Sequence, residues 1–406
     1  MAVGFAAMLK ENDKKGLFQM DDGFTTYSTG ILPLDYANGF YRTIKNINTG
    51  ETKQIPVLGM IGGTITTIFG ATQGGKSALG AQLGYSIIRK YEDGFFDYVD
   101  TEKGALLDRI LKISGAKIGD PRINLTKEHT SIEDVLEMID KICNMKESLG
   151  NRMKYTIENY DTFGNPGKVW FPTVLMIDSL PKFNSRDFSE DNTTLGTNMD
   201  GMRSAKDLSK FMDRILDLLW RYNINLICIN HLRPAQNVDR FKTQPREILM
   251  LNPNTEHLPR GYVSQYYANL VIRVNSIKSN MTTYEQDGFT GYEAEFQIAK
   301  TRSNFMGCSF KVAFDKNIGF DPIYTLLLFA RDNGLIEGRN PHLYIKEHDD
   351  MKFSRKEFRN KFSEDLKFRE MVLSALNPYL EALMGVKEST VEERIEFGSI
   401  FDTVEE

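Results

Sequence analysis

The chain has 406 residues, of which 41% are hydrophobic and 26% charged, and no apolar run is long enough to span a bilayer. Its formal net charge of −5 is concentrated in residues 388–406, which carry seven acidic residues and one arginine, so that the rest of the chain sums to +1. These figures exclude a membrane-spanning protein and a protein that binds nucleic acid through overall basicity, and they leave room for binding in a local groove.

Residues 1–27 are the first unit that we expect, with a short helix at Val3–Lys10 and a strand at Leu17–Met20. The apolar stretch is too short, and is followed too soon by charged residues, to be a secretory signal, so we expect a cytoplasmic protein. The three cysteines of the chain are scattered, which favours buried free thiols over a disulfide framework or a zinc site.

Residues 70–77 (GATQGGKS) match the phosphate-binding loop pattern G-x-x-x-x-G-K-S. A strand-type run, Thr64–Phe69, precedes them, and the spacing of apolar residues over Ser77–Lys90 predicts a helix. Glycines allow backbone N–H groups to surround a β-phosphate, the lysine neutralises phosphate charge, and the following hydroxyl suits Mg²⁺. We therefore predict a site for a nucleoside triphosphate, formed by Gly70, Thr72, Gln73, Gly74, Gly75, Lys76, Ser77 and Ala78.

Strands and helices alternate after this loop, which predicts a mostly parallel sheet with helices on both faces and ligands at the carboxyl ends of its strands. The predicted strands are 95–100, 122–125, 173–178 and 225–230, and the predicted helices are 104–114, 131–148 and 202–221. Two polar stretches look inserted: 41–54, interpreted as a loop, and 151–167, interpreted as a surface insertion.

The pattern changes after the long polar segment 231–262. Alternating apolar and polar residues are typical of antiparallel strands, which we expect at 270–274, 294–300 and 310–314. A helix is expected at 322–333, and two charged helices at 354–362 and 364–384 would form a small C-terminal subdomain. We therefore divide the chain into an arm (1–27), a core (28–335), a C-terminal subdomain (336–387) and an acidic tail (388–406).

Two acidic residues are expected beside the phosphates. Asp178 ends a buried strand, where an aspartate can hold Mg²⁺ through water, although any parallel strand can end in aspartate. Glu102 follows the neighbouring strand and can orient and deprotonate an attacking water. The competing interpretation of Glu102 is an acidic residue favoured by the dipole of a helix N-terminus.

Short motifs in this order resemble those of the RecA-type recombinases, and most of all the phage UvsX-type branch. The matching residues span nearly the whole chain and are Ser28-Thr29-Gly30 with Leu34-Asp35, the phosphate loop, Asp100-Thr101-Glu102, Asp178-Ser179, Ile229-Asn230-His231, Lys300-Thr301-Arg302, Gly319-Phe320-Asp321-Pro322 and Gly334-Leu335-Ile336. The resemblance implies a RecA-like α/β core with a phosphate loop, a short N-terminal arm for subunit docking and a small α/β C-terminal subdomain.

The resemblance also bears on four further residues. His231 would sense the γ-phosphate and report to the following loop, or it is a hydrogen-bonded structural histidine. Lys300 and Arg302 share one face of a strand, as either a solvated edge or a clamp on the nucleotide of the neighbouring subunit. Arg109 stands where UvsX-type members place an adenine-stacking tyrosine, and it either stacks through its guanidinium plane or is a surface arginine.

Two loops are expected to bind DNA. The first, Ser185–Met199, leads into a helix with Arg203 and Lys206, which can meet backbone phosphates. The second, Leu232–Arg260, combines basic and apolar side chains, which suits single-stranded DNA, although ordinary surface loops can have the same composition. It lacks the paired glycines of bacterial RecA, and its basic residues are Arg233, Arg240, Lys242, Arg246 and Arg260.

Together these features predict a DNA-dependent ATPase that forms a helical filament on single-stranded DNA, with ATP between subunits, and exchanges strands with homologous double-stranded DNA. Glu102, Lys76 and His231 are assigned to catalysis, and Ser77 and Asp178 to Mg²⁺. The acidic tail is either a solvated end or a contact for single-strand-binding or mediator proteins. The alternatives are a RecA-fold hexameric replicative helicase and an ATP-gated DNA-binding protein without catalysis.

Overall fold

A large sheet organises the fold, and its strands are runs of β-branched and aromatic residues, which fit a pleated and buried surface. The computed structural model describes residues 23–45, 50–186, 198–234, 256–260, 263–276, 291–346 and 348–384. Within these ranges the chain is an α/β protein with helices on both faces of a nine-stranded, mostly parallel sheet, as the alternation of strands and helices predicts.

The helices and strands alternate through the core much as expected. The described helices are α1 (Leu32–Ala37), α2 (Lys76–Ile88), α3 (Leu107–Ser114), α4 (Ile132–Leu149), α5 (Asn198–Tyr222), α6 (Val263–Tyr267), α7 (Pro322–Asp332), α8 (Arg355–Glu364) and α9 (Leu366–Leu383). The described strands up to the middle of the chain are β1 (Thr26–Tyr27), β2 (Phe40–Lys45), β3 (Thr52–Val57), β4 (Met60–Ile61), β5 (Ile65–Gly70), β6 (Phe95–Asp100), β7 (Ile123–Thr126), β8 (Lys154–Ile157), β9 (Gly167–Trp170) and β10 (Thr173–Asp178). Those that follow are β11 (Ile224–His231), β12 (Arg233–Pro234), β13 (Glu256–His257), β14 (Leu270–Ser276), β15 (Gly291–Thr301), β16 (Ser309–Asp315), β17 (Gly319–Asp321), β18 (Ile336–Arg339), β19 (His342–Ile345) and β20 (His348–Phe353).

The strand order of the large sheet is β7-β6-β10-β11-β5-β14-β15-β16-β17. The strands from β7 to β14 run parallel, and β15, β16 and β17 are each antiparallel to the strand before. The antiparallel strand predicted at 270–274 is β14. It is antiparallel to β15, as predicted, but parallel to β5, so the prediction is wrong for that neighbour. We call the edge where β5, β6, β10 and β11 end the carboxyl edge, and the opposite one the amino edge.

Apolar cores lie on both faces of the sheet. Tyr98 and Met176 face α2 and pack with Leu79 and its neighbours. Leu175, the residue directly before Met176 on β10, faces α4 and α5 instead. Since β10 is buried on both faces, its sequence is almost continuously apolar, which is the pattern that predicts a central parallel strand.

The two insertions are β-hairpins that pack on each other. Strands β2 and β3 pair over 40–57, and β8 pairs with β9 over 154–170. The backbone N–H of Lys45 donates to the Thr162 carbonyl at 2.8 Å, and the Arg42 guanidinium donates to the Tyr160 carbonyl at 2.8 Å. The interpretation of 41–54 as a loop is wrong, because its strands are largely exposed and lack the alternating apolar face that marks a core strand.

The C-terminal region combines the two predicted helices, α8 and α9, with an antiparallel sheet of β18, β19 and β20, whose bounds no sequence pattern predicts. Phe353, Phe358 and Phe368 pack together between them. Cys143 and Cys228 are buried free thiols, as predicted, and Cys308 is a partly buried one. No helix in the described ranges is long and apolar enough to cross a membrane. The elements predicted at Val3–Lys10 and Leu17–Met20 and the acidic tail lie outside the described residues.

Candidate functional site

The carboxyl edge of the sheet holds a cavity of about 460 Å³. The register places Asp178 beside Asp100 and His231 beside Gly70, so residues from four separate strands meet at one edge. Most of the predicted nucleotide site lines this cavity, whereas Gly70 and Thr72 flank it. The predicted residues in its wall are Gln73, Gly74, Gly75, Lys76, Ser77, Ala78, Glu102, Arg109, Asp178 and His231.

The loop between β5 and α2 has the backbone that a phosphate cradle requires. Gly75 precedes the first residue of α2 with a φ of 87°, in the left-handed region that favours glycine. A Cβ on Gly70 would lie 2.2 Å from the Val274 carbonyl oxygen, so the close approach of β14 also requires glycine. The helix N-terminus and the loop N–H groups therefore line the cavity together.

Lys76 is buried, and its ammonium donates to the Ala71 carbonyl at 2.7 Å. Burial lowers the pKa of Lys76, although the negative charges of Asp178 and Glu102 oppose this shift. A cation in that position is desolvated by the protein and lacks a direct carboxylate partner among the described residues. It can therefore neutralise a phosphate group that enters the cavity.

Glu102 is held at the mouth of the cavity by two partners. The Ser179 hydroxyl donates to Glu102 Oε1 at 2.6 Å, and His231 Nε2 lies 3.1 Å from the same oxygen. Burial opposes ionisation of Glu102, but the Ser179 hydrogen bond and the attraction of His231 outweigh it, so the pKa of Glu102 lies below its usual value. Glu102 is therefore an ionised carboxylate that can accept a proton.

A tight turn after β6 positions Glu102. Asp100 accepts hydrogen bonds from the backbone N–H groups of Glu102 and Ala105, at 3.1 and 2.7 Å. Two hydrogen bonds join Thr101 and Ser179: the Thr101 hydroxyl donates to the Ser179 carbonyl and accepts from the Ser179 backbone N–H. This turn delays the start of α3 to Leu107, three residues after the predicted start. Glu102 therefore lies in a turn and not in a helix N-terminus, which removes the competing interpretation of its role.

Ser77, Tyr98 and Asp178 bring three oxygen-bearing side chains together beside Lys76. The Tyr98 hydroxyl donates to Asp178 Oδ2, and Ser77 is hydrogen-bonded to both residues. Burial raises the pKa of Asp178, with the hydrogen bonds from Ser77 and Tyr98 opposing the shift. A hydroxyl and a carboxylate are the hard oxygen ligands that Mg²⁺ takes when phosphate oxygens and water complete its shell. The described residues contain no cluster of three or more acidic, histidine or cysteine side chains that could hold a metal alone.

The far side of the cavity carries side chains suited to a flat ring. Arg109 lines it from α3, as predicted, and Tyr292 and Phe314 line it from β15 and β16. The two rings stack at 4.7 Å, and the Tyr292 hydroxyl donates to the Gln73 carbonyl at 3.4 Å. Sequence reasoning missed both rings, because they are distant from the phosphate loop along the chain and only the register of β15 with β16 makes them partners.

Ser179 and Tyr98 were also missed as site residues. Ser179 directly follows Asp178, and Tyr98 stands two residues before Asp100 on the same face of β6. The period of two along a strand is a signal that could have identified Tyr98. An aromatic residue in a buried strand is most simply explained as part of the hydrophobic core, so this spacing alone does not identify Tyr98 as a site residue.

Lys300 and Arg302 do not line the cavity of their own chain. They lie at the amino edge, where Leu270 pairs with Thr301 on one side and Thr66 on the other. The Lys300 ammonium donates to the carbonyls of Gln265 and Tyr266 at 2.8 and 2.7 Å, at the end of α6. Within one chain, the predicted clamp is therefore separate from the phosphate loop.

The predicted DNA contacts are only partly within the described residues. Arg203 and Lys206 are exposed on α5, and Arg233 is exposed at the start of the second loop, whose stem is the short pairing of β12 with β13. Arg240, Lys242 and Arg246 lie outside the described residues, as does most of the first loop.

Arg260 differs from the expectation of a DNA-facing residue. Its guanidinium donates to Asn184 Oδ1 and, at 3.5 Å each, to the carbonyls of Pro181 and Ser204. Burial lowers the pKa of Arg260 to about 10. Arg260 therefore connects the end of the second loop to the residues on both sides of the first loop. The side-chain amide of Asn230 donates to the carbonyl of Pro259, the residue before Arg260, at 3.3 Å.

Comparison of the chain with protein-family models and with curated proteins found no match. The cavity brings together residues that are up to 241 positions apart in the chain, from Gln73 to Phe314.

Proposed function

We propose that the protein is an ATPase of the RecA-type recombinase class, which forms filaments on single-stranded DNA and exchanges strands with homologous duplex. One observation carries the proposal. Lys76, Ser77, Glu102, Asp178 and His231, which come from four separate motifs, line a single cavity at the carboxyl edge. A chance phosphate-loop pattern gives no reason for the ends of the three other strands, β6, β10 and β11, to supply the last three of these side chains.

In this proposal the triphosphate lies along the loop at 70–77, with its phosphates against the loop N–H groups and Lys76, and its base between Arg109 and the Tyr292–Phe314 pair. Ser77 and Asp178 would hold Mg²⁺, which when bound neutralises charge on the phosphates. The described contacts use Oε1 of Glu102, so Oε2 is the oxygen that accepts a proton from the attacking water. The water oxygen bonds to the γ-phosphorus as the bond to the β-phosphate oxygen breaks, which gives ADP and phosphate.

His231 would link hydrolysis to DNA binding. It contacts Glu102 on one side, and its neighbour Asn230 contacts Pro259 at the end of the second loop. Arg260, the next residue, holds both flanks of the first loop. Loss of the γ-phosphate can thereby change the position of both DNA loops through three adjacent contacts.

Lys300 and Arg302 would complete the cavity of a neighbouring subunit. Among the described residues neither cation pairs with a carboxylate, and both lie at the edge opposite their own cavity. A head-to-tail contact that repeats this pairing gives an open helical filament, as heterologous interfaces do when they do not close.

The test is joint-molecule formation between circular single-stranded DNA and homologous linear duplex, with ATP and Mg²⁺. We expect joint molecules, together with ATP hydrolysis that single-stranded DNA stimulates. Unwinding of a forked duplex without pairing would favour the hexameric helicase instead. DNA binding that depends on ATP without hydrolysis would favour the non-catalytic alternative.

A further inference from the structure

Tyr98 lies directly beside the two groups suited to Mg²⁺. The register pairs Tyr98 with Met176 and Asp100 with Asp178, so Tyr98 and Asp178 project from the same face of neighbouring strands. The Tyr98 hydroxyl donates to Asp178 Oδ2 and is also hydrogen-bonded to Ser77. The tyrosine is only 4% exposed and packs in the core under α2, so its hydroxyl has little freedom to move.

In this contact the Tyr98 hydroxyl acts as a hydrogen-bond donor and not as a metal ligand. A tyrosine hydroxyl has an ordinary pKa of about 10, so the phenol is neutral at neutral pH. A neutral phenol donates its proton to the carboxylate, while Mg²⁺ prefers carboxylate, phosphate and water oxygens. The Tyr98 hydrogen bond occupies Oδ2 and thus orients Oδ1 of Asp178 for the ion or its water.

A buried carboxylate without a hydrogen bond is costly and takes up a proton or changes its orientation. Asp178 is 8% exposed, and its hydrogen-bonding side chains are Ser77 and Tyr98. In a nucleotide complex the Ser77 hydroxyl is needed at the ion. Tyr98 then remains as the side chain that holds Asp178 in place.

We propose that Tyr98 is a positioning residue for Mg²⁺, whose hydroxyl fixes Asp178 and Ser77 in the arrangement that binds the ion. The inference rests on the proposed nucleotide site and adds to it a residue that a phosphate-loop motif does not specify. Partners that orient metal ligands typically contribute 10–100-fold to metal affinity. We therefore expect about a 10-fold effect from removing the single hydroxyl.

The experiment compares the wild-type chain with Tyr98→Phe by equilibrium binding of a fluorescent, non-hydrolysable ATP analogue at increasing Mg²⁺ concentration. The variant is expected to need about 10-fold more Mg²⁺ for half-maximal binding, with unchanged affinity in EDTA. A second readout is the electron paramagnetic resonance of Mn²⁺ titrated into the nucleotide complex, where the same loss of metal affinity is expected. Neither measurement requires turnover.

Tyr344→Phe is the matched control, because the Tyr344 hydroxyl also donates to a carboxylate, Glu337 Oε2 at 3.1 Å, but lies in the C-terminal sheet. Its Mg²⁺ titration should equal that of the wild type. An unchanged Mg²⁺ requirement in Tyr98→Phe overturns the inference, and so does an equal loss of binding with and without Mg²⁺, which would mean that Tyr98 only shapes the pocket. If the wild-type chain shows no Mg²⁺-dependent nucleotide binding, the proposed function itself fails.

Discussion

The two edges of the central sheet each carry charged side chains, and the surroundings of these charges differ. At the carboxyl edge, Glu102 and Asp178 accept hydrogen bonds from the Ser179 and Tyr98 hydroxyls, and the charges of both carboxylates act on the buried Lys76. At the amino edge, Lys300 and Arg302 donate to backbone carbonyls of α6 and have no carboxylate partner among the described residues. Charges of both signs therefore meet at the carboxyl edge, whereas the two cations at the amino edge lack a described counter-charge.

Exposed apolar side chains accompany the charges at the amino edge. Tyr266 is 73% exposed, and its backbone carbonyl accepts a hydrogen bond from Lys300. Phe305 and Met306, which follow Arg302 closely in the chain, are 70% and 60% exposed. Exposed apolar surface is typical of a face that another protein covers, which supports the proposed contact between the amino edge and the carboxyl edge of a second copy.

The largest expected effect comes from breaking the carboxyl edge with Glu102→Gln. The amide keeps the size of the side chain but cannot accept the proton of water, so ATP hydrolysis should fall by about 10²–10⁴-fold while ATP binding persists. Steady-state ATPase assays and nucleotide-binding titrations measure the two properties. Glu128→Gln, an exposed glutamate just after β7, is the control. Unchanged turnover in Glu102→Gln would reject Glu102 as the base.

Lys300→Ala removes one of the two cations at the amino edge, and its effect on ATPase activity should appear only in the assembled filament. If Lys300 stabilises charge on a neighbour's phosphates, DNA-stimulated ATPase activity should fall by about 10²–10³-fold and filaments should shorten. Nucleotide binding by the isolated subunit should be retained, because Lys300 does not line its own cavity. Lys311→Ala, which removes a surface lysine paired with Asp332 at the end of α7, is the matched control. Normal filaments with Lys300→Ala would contradict the clamp.

The two edges should also differ in their response to pH. Burial, and the positive charge of Arg302, lower the pKa of Lys300 to about 8. Lys300 therefore carries its charge below this pH and loses it as the pH rises, so assembly-dependent ATPase activity should decline several-fold between about pH 7 and 9. Arg302→Gln removes one cause of the shift, so the decline should move to higher pH. Nucleotide affinity of the unassembled subunit, measured at each pH, separates this effect from titration of Lys76.

The smallest expected effect on turnover is that of Arg260→Gln, which affects the loops that extend from the carboxyl edge. The variant loses the hydrogen bonds to Asn184, Pro181 and Ser204, and the free energy of unfolding should fall by about 1–3 kcal/mol. Arg214→Gln removes only an exposed ion pair with Asp140 and should change the free energy of unfolding by less than about 1 kcal/mol. Urea denaturation measures both. Equal stability of the two variants would show that Arg260 does not anchor the loops.

Sequence reasoning found the carboxyl edge because its residues stand in short local patterns. A strand, a glycine-rich loop and a helix follow one another at 64–90, and Asp178 and His231 each close a predicted strand. Parallel strands bring their ends to one edge, so the convergence followed from the order of elements alone. Glu102 lines the same cavity as Lys76, as the order of elements predicts, but the turn that holds it depends on Asp100 and Thr101 contacts that no pattern specifies.

The remaining features depend on pairing between distant segments. The Tyr292–Phe314 pair exists only through the register of β15 with β16. The hairpin strands at 40–45 and 52–57 do not stand out in the sequence because exposed strands lack a periodic apolar face, and β18 is likewise exposed along most of its length. Arg260 follows a sequence segment that is rich in basic residues, and only its burial distinguishes a structural arginine from one that binds phosphate.

The central claim is that each cavity is completed by Lys300 and Arg302 of a neighbouring copy, and mixing two inactive chains tests it most directly. One chain carries Lys76→Ala and keeps the clamp, and the other carries Lys300→Ala with Arg302→Ala and keeps the cavity. In an equal mixture on single-stranded DNA, about a quarter of head-to-tail interfaces pair an intact cavity with an intact clamp. ATP hydrolysis should return on mixing, up to roughly a quarter of the wild-type rate. A mixture no more active than either chain alone would contradict completion of the cavity by a neighbouring copy.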